Sequence, residues 1–400
     1  MKQAVDGIFH ALNGLCYLPQ WYIQRFHKRN NNLWTFDAWS GQRYSDNPRA
    51  LYEFVLSNEP EIQAVWITNS EDVFQRLKNE GKPVAMRHSR EGRRIQKEAG
   101  YFFCTHGRLS EGSEGELKYM NGIRYINLWH GAPLKLIGDD EIRFKVKHIS
   151  WWKKVKTSIR KILVPWEFIH GEMINSSPFF APFFLTSFGR YYTMLDCTEP
   201  RLDKLKVQVK ESLIKELDLQ YNSPIKVLYM PTFRDSKFGI FSPFEQAGFS
   251  AERLESVLVS QNIVFLYKGH YLDKENGVGN LSERIRVVSD EDYDDLYTFI
   301  KDVDVLITDY SSIYFDFLCT GKPMILFPFD SEEYTKQSRG FYFDYNLMEA
   351  KRVYTWKELE ECLQKKSYYP PSSAEIQRFR PQPIGHCCER LVHILRKNKS

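Results

Sequence analysis

Short apolar runs alternate with amphipathic stretches along most of the chain. The apolar runs predict buried strands, and the stretches with apolar residues three or four positions apart predict helices. Before residue 130, the pattern predicts strands over 33–36, 64–68, 83–86, 101–104 and 124–128, and helices over 48–58, 71–80 and 90–99. After residue 220, it predicts strands over 226–229, 263–267, 285–288, 303–307 and 323–327, and helices over 251–261, 292–301, 312–320, 356–365 and 387–397. Strands that alternate with helices indicate βαβ units and parallel sheets.

The alternation is interrupted over residues 190–222, which are rich in charge and contain Pro200. We therefore predict an α/β protein with two Rossmann-like domains facing a central cleft, one over 33–195 and one over 196–400. An amphipathic helix over 1–32 precedes them, and the final helix is expected to pack back toward the first domain. Ligands of such sheets bind beyond the carboxyl ends of the strands, so residues there are the first candidates for function.

Composition narrows the class of protein. A chain of 400 residues accommodates about two or three domains. Its 28 Phe, 23 Tyr and 9 Trp supply ample surface to bury, which argues against intrinsic disorder. The 7 cysteines include no CxxC pair, which argues against a disulfide scaffold or a zinc site and favours a reduced, cytoplasmic protein. The net charge of +4 is too small to indicate nucleic-acid binding, and no N-terminal stretch has the pattern of a membrane span or signal peptide.

The first candidate for chemistry is the sequence WHGAPLK at 129–135, directly after a predicted strand. Histidine is the usual general base near neutral pH. Gly131 lets the backbone approach a ligand, and Pro133 stiffens the turn. A structural histidine explains His130 equally well from the residues alone. Its place at a strand end is what makes it a candidate base.

The second half of the chain carries basic, hydroxyl and histidine side chains at several predicted strand ends. KGH at 268–270 follows a predicted strand, and Lys268 suits a phosphate as a point charge. In TDYSS at 308–312, a buried strand is predicted to run into a helix, where hydroxyls and backbone N–H groups favour an anion. Arg201 and Arg234 are further candidate phosphate ligands. Each of these features also has a structural alternative. KGH can be a surface turn, the serines of TDYSS can cap a helix, and Arg234 can form a surface ion pair with Asp235.

A basic, aromatic segment lies at 143–163. No acidic residue interrupts its lysines and arginines, and its apolar side chains follow helical spacing. This pattern is typical of an interfacial helix on an anionic membrane, and the alternative is a solvated basic face packed on its domain. RNA binding is a third alternative, without an RNP-like or zinc pattern to support it. The candidate membrane contacts are Trp151, Trp152, Lys153, Lys154, Lys156, Arg160 and Lys161.

Several common catalytic motifs are absent from the sequence. It contains no GxxxxGK[ST], no GxGxxG after the first strand and no HExxH, which argues against a P-loop NTPase, a dinucleotide dehydrogenase and a zincin. The triplet at 302–304 mimics the DxD metal motif of some transferases, but Asp304 opens an apolar run. We therefore predict no metal site.

Taken in order, these motifs resemble the CDP-glycerol glycerophosphotransferase family, which builds teichoic acids and related capsule polymers. The resemblance runs from about residue 34 to residue 344 and rests on the order of the motifs. They are SGQRYSDNP at 40–48, WHGAPLK at 129–135, PRLD at 200–203, PTFRD at 231–235, KGH at 268–270, TDYSSIYFD at 308–316, and Asp330, Tyr334, Arg339 and Gly340. The chain departs from the family pattern at Ala132, Thr198 and Tyr271, where Thr, Gly and Pro are usual.

The resemblance implies the GT-B architecture, with acceptor and membrane contacts in the first domain and the nucleotide in the second. It implies a peripheral enzyme on the inner face of the cell membrane. Such an enzyme transfers glycerol phosphate, or a related polyol phosphate, from a CDP-activated donor to a hydroxyl of a lipid-linked, capsule or teichoic-acid acceptor and releases CMP. By resemblance, His130 and His270 are the catalytic histidines, with His130 favoured as the base. Contacts to substrate and nucleotide are expected from Gly131, Ala132, Pro133, Leu134, Arg201, Thr232, Arg234, Asp235, Lys268, Gly269, Ser311, Ser312 and Asp316.

No cofactor beyond the CDP-activated polyol is expected, and no nucleic-acid partner. Two other functions fit the same pattern of motifs. One is a GT-B glycosyltransferase that uses a nucleotide sugar, and the other is a non-catalytic, membrane-associated scaffold. The donor polyol, the acceptor and the oligomeric state stay open at this point.

Overall fold

The computed structural model describes residues 15–106, 118–145, 151–164, 170–232, 243–245, 248–269, 282–331, 334 and 340–397. The chain divides into two compact units. Unit 1 comprises Met1–His130, Gly138–Arg201 and His386–Ser400, and unit 2 comprises Gly131–Ile137 and Leu202–Gly385. Residues 196–201 therefore belong to unit 1, although the second domain was predicted to begin at 196.

Unit 1 is built on a 7-stranded parallel sheet. Its strands are β1 (Asn30–Phe36), β2 (Gln63–Thr68), β3 (Val84–Met86), β4 (Ala99–Cys104), β5 (Arg124–Asn127), β6 (Gly171–Ile174) and β7 (Tyr192–Leu195), in the order β3-β2-β1-β4-β5-β6-β7. The register pairs Trp34 of β1 with Ala64 of β2 and Tyr101 of β4. All 6 residues of β4 are buried, as expected for a parallel strand covered on both faces.

Serine caps and one close glycine contact fix the helices of unit 1. The hydroxyls of Ser70 and Ser89 accept the N–H groups of Val73 (3.4 Å) and Gly92 (2.9 Å) at two helix starts. A Cβ on Gly92 would lie 2.1 Å from the Met86 carbonyl oxygen, so only glycine lets this helix approach β3. The helices are Asp46–Asn58, Glu71–Asn79, Arg90–Glu98, Gly138–Lys145, Trp151–Leu163, Ala181–Phe188 and Cys387–Lys397, with a 3₁₀ turn at Trp39–Gly41 and helical residues at 15–24.

Unit 2 is built on a 6-stranded parallel sheet. Its strands are β8 (Ile225–Met230), β9 (Ile263–Tyr267), β10 (Ile285–Val287), β11 (Val305–Thr308), β12 (Met324–Leu326) and β13 (Lys351–Arg352), in the order β10-β9-β8-β11-β12-β13. The register pairs Tyr229 with Tyr267, and Met230 with Thr308. The helices are Ser212–Gln220, Ala251–Ser260, Leu296–Ile300, Ile313–Phe317, Trp356–Lys365 and Ser373–Phe379, and the 3₁₀ segments after β7 are Pro200–Lys206, Pro243–Glu245, Leu318–Thr320 and Tyr345–Leu347.

Each sheet reverses its strand order at one internal position. In unit 1 the reversal lies between β1 and β4, and in unit 2 it lies between β8 and β11. The carboxyl ends of the strands at such a switch point are the usual ligand site of an open α/β sheet. The predicted fold class, α/β with Rossmann-like parallel sheets, is confirmed.

The structure differs from the predicted elements in several places. The helix predicted over 292–301 spans only Leu296–Ile300. Asp295 caps it by accepting the Tyr297 N–H at 2.8 Å, and the carboxylate of Asp292 turns back to accept the Ser289 N–H at 2.7 Å. The strands and α-helices that the pattern did not predict are β6, β7, β13 and the helices Gly138–Lys145, Ala181–Phe188, Ser212–Gln220 and Ser373–Phe379. Of the helix predicted over 1–32, the structure describes residues from 15 onward, and 15–24 are helical.

Candidate active site

The carboxyl ends of β1, β4 and β5 bring an aromatic cluster together in unit 1. Trp39 follows β1, Thr105 and His106 follow β4, and Trp129 and His130 follow β5. The rings of His106 and His130 stack with their centroids 4.6 Å apart and their planes 20° from parallel. The Trp39 ring packs edge-on against His106 at 4.6 Å, and the Trp129 ring stacks on His130 at 4.2 Å. The predicted base His130 therefore lies beside the switch point, against a second histidine.

Thr105 holds both histidines through different atoms. Its backbone carbonyl oxygen lies 3.0 Å from Nδ1 of His130, and its hydroxyl oxygen lies 2.7 Å from Nδ1 of His106. Because a carbonyl oxygen only accepts, we assign the hydrogen of neutral His130 to Nδ1, which leaves the lone pair on Nε2. The Thr105 hydroxyl also accepts the Trp39 N–H at 2.9 Å, which favours donation of its own hydrogen to His106. This geometry gives His130 the tautomer that a general base working through Nε2 needs.

His106 is held in its neutral form. Burial, together with the nearby His130, lowers the pKa of His106 to about 4, against the opposite effect of Asp46 and Asp37. At pH 7 the stacked pair therefore carries no charge from His106. A positively charged His106 would oppose proton uptake by His130. A neutral His106 is therefore compatible with a base at His130.

The turn that carries His130 is fixed from the helix Asp46–Asn58. The buried Asn47 amide donates to the carbonyl oxygens of Leu128 (2.8 Å) and Trp129 (3.0 Å). Trp129 has a φ of 51°, in the left-handed region that a bulky residue rarely adopts. Its N–H bonds to the side-chain oxygen of Asn127 at 2.8 Å. The strained backbone before His130 is thus held from both sides.

A second left-handed run lies after β1. Trp39, Ser40 and Gly41 have φ values of 52°, 60° and 80° in succession. The Arg43 guanidinium lies over the Trp39 ring, 5.6 Å from its centroid. Residues held in such conformations cluster at functional sites, because the surrounding structure must stabilise them.

Arg201 lies in unit 1 and not with the other predicted nucleotide ligands. Its guanidinium bonds to the Asp46 carboxylate, and its backbone N–H donates to the Asn47 side-chain oxygen at 3.1 Å. The Arg201 side chain is only 3% exposed. In this structure Arg201 therefore stabilises the helix Asp46–Asn58, which holds the His130 turn. The contact of Arg201 with a phosphate stays a prediction.

The residues that follow His130 belong to unit 2. Leu134 accepts the Tyr342 N–H at 3.0 Å, and the Leu136 N–H donates to Gly340 at 2.8 Å. Gly131, Ala132, Pro133 and Leu134 are all buried. The side chains of Ala132 and Leu134, 1% and 2% exposed, are packing residues, so their predicted ligand contacts would have to come from the backbone.

The switch point of unit 2 carries hydrogen-bond donors and hydroxyls. The Asp309 carboxylate, directly after β11, accepts the N–H groups of Thr232 (2.8 Å) and Tyr310 (2.6 Å). It thereby joins the turns after β8 and β11. Ser311 and Ser312 follow, both half-buried, at the start of a helix that spans only Ile313–Phe317. The structure thus brings Thr232, Ser311 and Ser312 to neighbouring strand ends, as predicted.

Two predicted nucleotide ligands of unit 2 are already engaged by protein groups. Lys268 donates from Nζ to the Asp290 carboxylate at 2.7 Å and lies 5.1 Å from the Tyr293 ring centroid. Its backbone position after β9, with Gly269 next to it, agrees with the prediction. Asp316 is buried and bonds to Arg380 (2.7 Å) and to the Tyr297 hydroxyl (2.8 Å), so it supports the fold from inside the unit.

Several predicted residues lie outside the described part of the chain. They are the second histidine His270 and the pair Arg234 and Asp235. In the basic helix Trp151–Leu163, nothing is described of the side chains of Trp152, Lys153, Lys154, Lys156 and Arg160. Trp151, Ile159 and Ile162 are exposed by 65%, 52% and 69%, and Lys161 is exposed as well.

His106 is a site residue that the sequence analysis did not single out, as are Trp39 and Thr105. The signal was available, since His106 follows a buried strand as His130 does. Both histidines are followed by a glycine, Gly107 and Gly131, but only His130 has a proline two positions after that glycine. Only the pairing of β4 with β5 places the two histidines together.

A model of the family described as CDP-glycerol:poly(glycerophosphate) glycerophosphotransferase matches residues 20–394. Over 315 residues the chain is 30% identical to the teichoic acid poly(glycerol phosphate) polymerase of Bacillus subtilis (strain 168), covering 78% of this chain and 40% of that protein. Over 324 residues it is 28% identical to the teichoic acid glycerol-phosphate transferase of Staphylococcus aureus (strain NCTC 8325 / PS 47), covering 79% of each. The chain thus spans 40% of the length of the first relative and 79% of the second.

Among solved structures, that of the wall teichoic acid polymerase TagF superposes with a TM-score of 0.68 at 20% sequence identity, over 98% of both chains. At this identity the likeness concerns the fold, which is GT-B-like. The match of the family model extends from before β1 into the final helix. The chain belongs to the CDP-glycerol:poly(glycerophosphate) glycerophosphotransferase family.

Proposed function

We propose that this protein transfers glycerol phosphate, or a related polyol phosphate, from a CDP-activated donor to a hydroxyl of a lipid-linked, capsule or teichoic-acid acceptor. The acceptor oxygen forms a bond to the β-phosphorus of the donor. The bond between that phosphorus and the oxygen bridging to the α-phosphate breaks, and CMP leaves with the electron pair. The hydroxyl proton passes to the enzyme. CDP-glycerol is the first donor to test, because the two relatives matched over most of the chain are named for glycerol phosphate.

His130 takes the hydroxyl proton in this proposal. The observation that carries it is the 3.0 Å contact between Nδ1 of His130 and the Thr105 carbonyl oxygen. In the neutral ring this contact places the hydrogen on Nδ1, so that Nε2 is the basic atom. General-base catalysis by a positioned side chain contributes roughly 10²–10⁴-fold to a rate.

The carboxyl edge of unit 2 holds the nucleotide diphosphate in this proposal. The backbone turns joined by Asp309 present Thr232, Ser311 and Ser312, and Lys268 follows β9. A loose phosphoryl-transfer transition state needs positioning and charge neutralisation more than it needs covalent chemistry. These donors can supply the positioning and the charge neutralisation. We expect no metal or further cofactor to be required. Arg201, Arg234, Asp235 and His270 stay predicted contributors.

A peripheral position on the inner membrane face completes the proposal. Across the described ranges of the chain, no helix is both long and apolar enough to cross a bilayer. The helix Trp151–Leu163 exposes Trp151, Ile159 and Ile162 together with Lys161, a combination that suits an anionic interface. We expect sedimentation with vesicles containing phosphatidylglycerol, and loss of that binding when Trp151, Ile159 and Ile162 are changed to serine.

The experiment that tests the proposed function is a donor panel. Purified protein is incubated with an acceptor, anionic liposomes, and CDP-glycerol, CDP-ribitol or a UDP-sugar in parallel, and nucleotide release is measured. Acceptor-dependent CMP release from a CDP-polyol is the expected result. Turnover of the UDP-sugar alone would replace the proposal with a nucleotide-sugar transferase. Vesicle binding with no nucleotide release from any donor would indicate a non-catalytic scaffold.

A further inference from the structure

We propose that His106 is a positioning residue for His130, holding its ring plane and its basic tautomer through stacking and a shared anchor at Thr105. The inference rests on the proposed function, because it takes His130 as the base of the proposed transfer reaction. It concerns a residue outside the motifs that carry the family resemblance.

The geometry restrains His130 on two sides. Its Nδ1 is bonded to the Thr105 carbonyl, which fixes one atom of the ring but leaves rotation about that bond. His106 lies against the ring face at 4.6 Å, nearly parallel, and Trp129 stacks on His130 at 4.2 Å. The two stacked rings restrict that rotation. His130 is thereby held in one orientation before substrate arrives.

His106 is itself anchored, so it can serve as a support. Its Nδ1 lies 2.7 Å from the Thr105 hydroxyl, and that hydroxyl accepts the Trp39 N–H at 2.9 Å. Its backbone carbonyl accepts the Tyr125 hydroxyl at 3.2 Å. One residue, Thr105, therefore fixes both histidines, and the left-handed turn at Trp39 closes the cluster from β1.

The charge of His106 also matters when His130 becomes protonated. A neutral aromatic ring stacked on an imidazolium stabilises the cation, whereas a second imidazolium at the same distance would repel it. Among the described residues, the groups that face His106 are Asp37 after β1, Asp46 of the helix Asp46–Asn58, Cys104 at the end of β4, Thr105 after it, Tyr125 of β5 and His130 after β5. Burial of His106 outweighs the two carboxylates and keeps it neutral above about pH 4.

Three variants separate stacking from the hydrogen bond. His106→Phe keeps a flat ring, His106→Asn keeps a polar group for the Thr105 hydroxyl, and His106→Ala removes both. In the CMP-release assay we expect His106→Ala to lower kcat roughly 10- to 100-fold, as for other losses of catalytic positioning, with the donor KM within about threefold of wild type. His106→Phe should recover most of that loss. His393→Ala, at an exposed position of the final helix, is the matched control and should behave as wild type.

A second measurement does not depend on turnover. With ¹⁵N-labelled histidine, the ring nitrogen shifts of His130 report its tautomer and its titration. We expect a single Nδ1–H tautomer in wild type and in His106→Phe, and a mixture of tautomers in His106→Ala. An unchanged His130 tautomer and titration in His106→Ala, in a folded protein, would overturn the positioning role. Failure of wild type to release CMP would instead overturn the proposed function, and the two results are read separately.

Discussion

The two sheets of the molecule share the order of their first six strands, with a seventh strand in unit 1, and their carboxyl edges carry different side chains. In unit 1 the edge at β1, β4 and β5 holds two stacked histidines and two tryptophans, and Thr105 bonds to both histidines and to Trp39. In unit 2 the edge at β8 and β11 holds hydroxyls and a carboxylate, Asp309, that accepts two backbone N–H groups. Proton transfer needs a group that titrates near neutrality, whereas holding a diphosphate needs donors. In both units the fold supplies the carboxyl edge, and the loop residues that follow the strands decide its chemistry.

The two edges differ in backbone strain as well. Trp39, Ser40 and Trp129 all have positive φ and lie at the carboxyl edge of unit 1. In the described part of unit 2, the non-glycine residues with positive φ are Asn222, Ser223, Asn262 and Lys366, which precede β8 and β9 or end a helix. Such conformations cost on the order of 1–3 kcal/mol each. Because these strained residues lie around His130, we infer that the backbone at the carboxyl edge of unit 1 fixes the orientation of the His130 side chain.

The largest expected effect comes from breaking a buried ion pair near either edge. Asp37 pairs with Arg87 in unit 1, and Asp316 pairs with Arg380 in unit 2, all with side chains no more than 5% exposed. Arg87→Met or Arg380→Met leaves a buried carboxylate without its cation, which should cost about 3–5 kcal/mol of unfolding free energy.

Hydrogen exchange followed by mass spectrometry should locate each loss in the unit that carries the substitution. Arg94→Met removes an exposed pair with Glu98 and is the control, with an expected cost below about 1 kcal/mol. Equal losses in both units from a single substitution would contradict the assignment of each ion pair to the stability of its own unit.

An intermediate effect is expected from acidification, through His106. Its pKa is lowered to about 4 in the folded protein, so the unfolded chain binds more protons between pH 6.5 and pH 4. The stabilisation by neutral His106 is present above the unfolded value and is lost as pH falls, by about 2 kcal/mol between pH 7 and pH 5. Denaturant unfolding at both pH values should show this loss in wild type and a smaller one in His106→Phe. Equal pH dependence in the two proteins would show that His106 is not held neutral by folding.

The smallest expected effect separates two buried threonines at strand ends, Thr105 directly after β4 in unit 1 and Thr308 at the end of β11 in unit 2. Thr105→Val removes the hydroxyl that accepts the Trp39 N–H and lies 2.7 Å from His106. Thr308→Val removes the hydroxyl that donates to the Met230 carbonyl oxygen at 2.7 Å. Each should cost about 1 kcal/mol of stability. Only Thr105→Val should lower kcat with an unchanged donor KM. A fall in kcat for Thr308→Val alone would contradict the claim that Thr105, and not Thr308, supports His130.

The sequence pattern predicted most strands because parallel strands buried on both faces appear as continuous apolar runs. It did not predict β6, since Glu172 interrupts the run and forms an ion pair with Arg124. The helix Ser212–Gln220 lies in a stretch interpreted as a bridge between domains. It buries Leu213, Ile214 and Leu217, but the surrounding charges obscured that face.

The site could be predicted where it depends on strand ends and not where it depends on long-range pairing. His130, Thr232, Lys268, Ser311 and Ser312 follow strands, as their local sequence predicts. The positions of His106 beside His130, of Arg201 against Asp46 and of Asp316 against Arg380 depend on contacts between residues distant in sequence. No local pattern carries that information.

The most direct test of the account is CMP release from CDP-glycerol by wild type, His130→Ala and His393→Ala, side by side with one acceptor. We expect wild type and His393→Ala to turn over alike. We expect His130→Ala, with an unchanged thermal unfolding midpoint, to be roughly 10²–10⁴-fold slower, because the base is gone while the donor site remains. A folded His130→Ala protein that releases CMP at the wild-type rate would contradict the claim that the edge of unit 1 supplies the base.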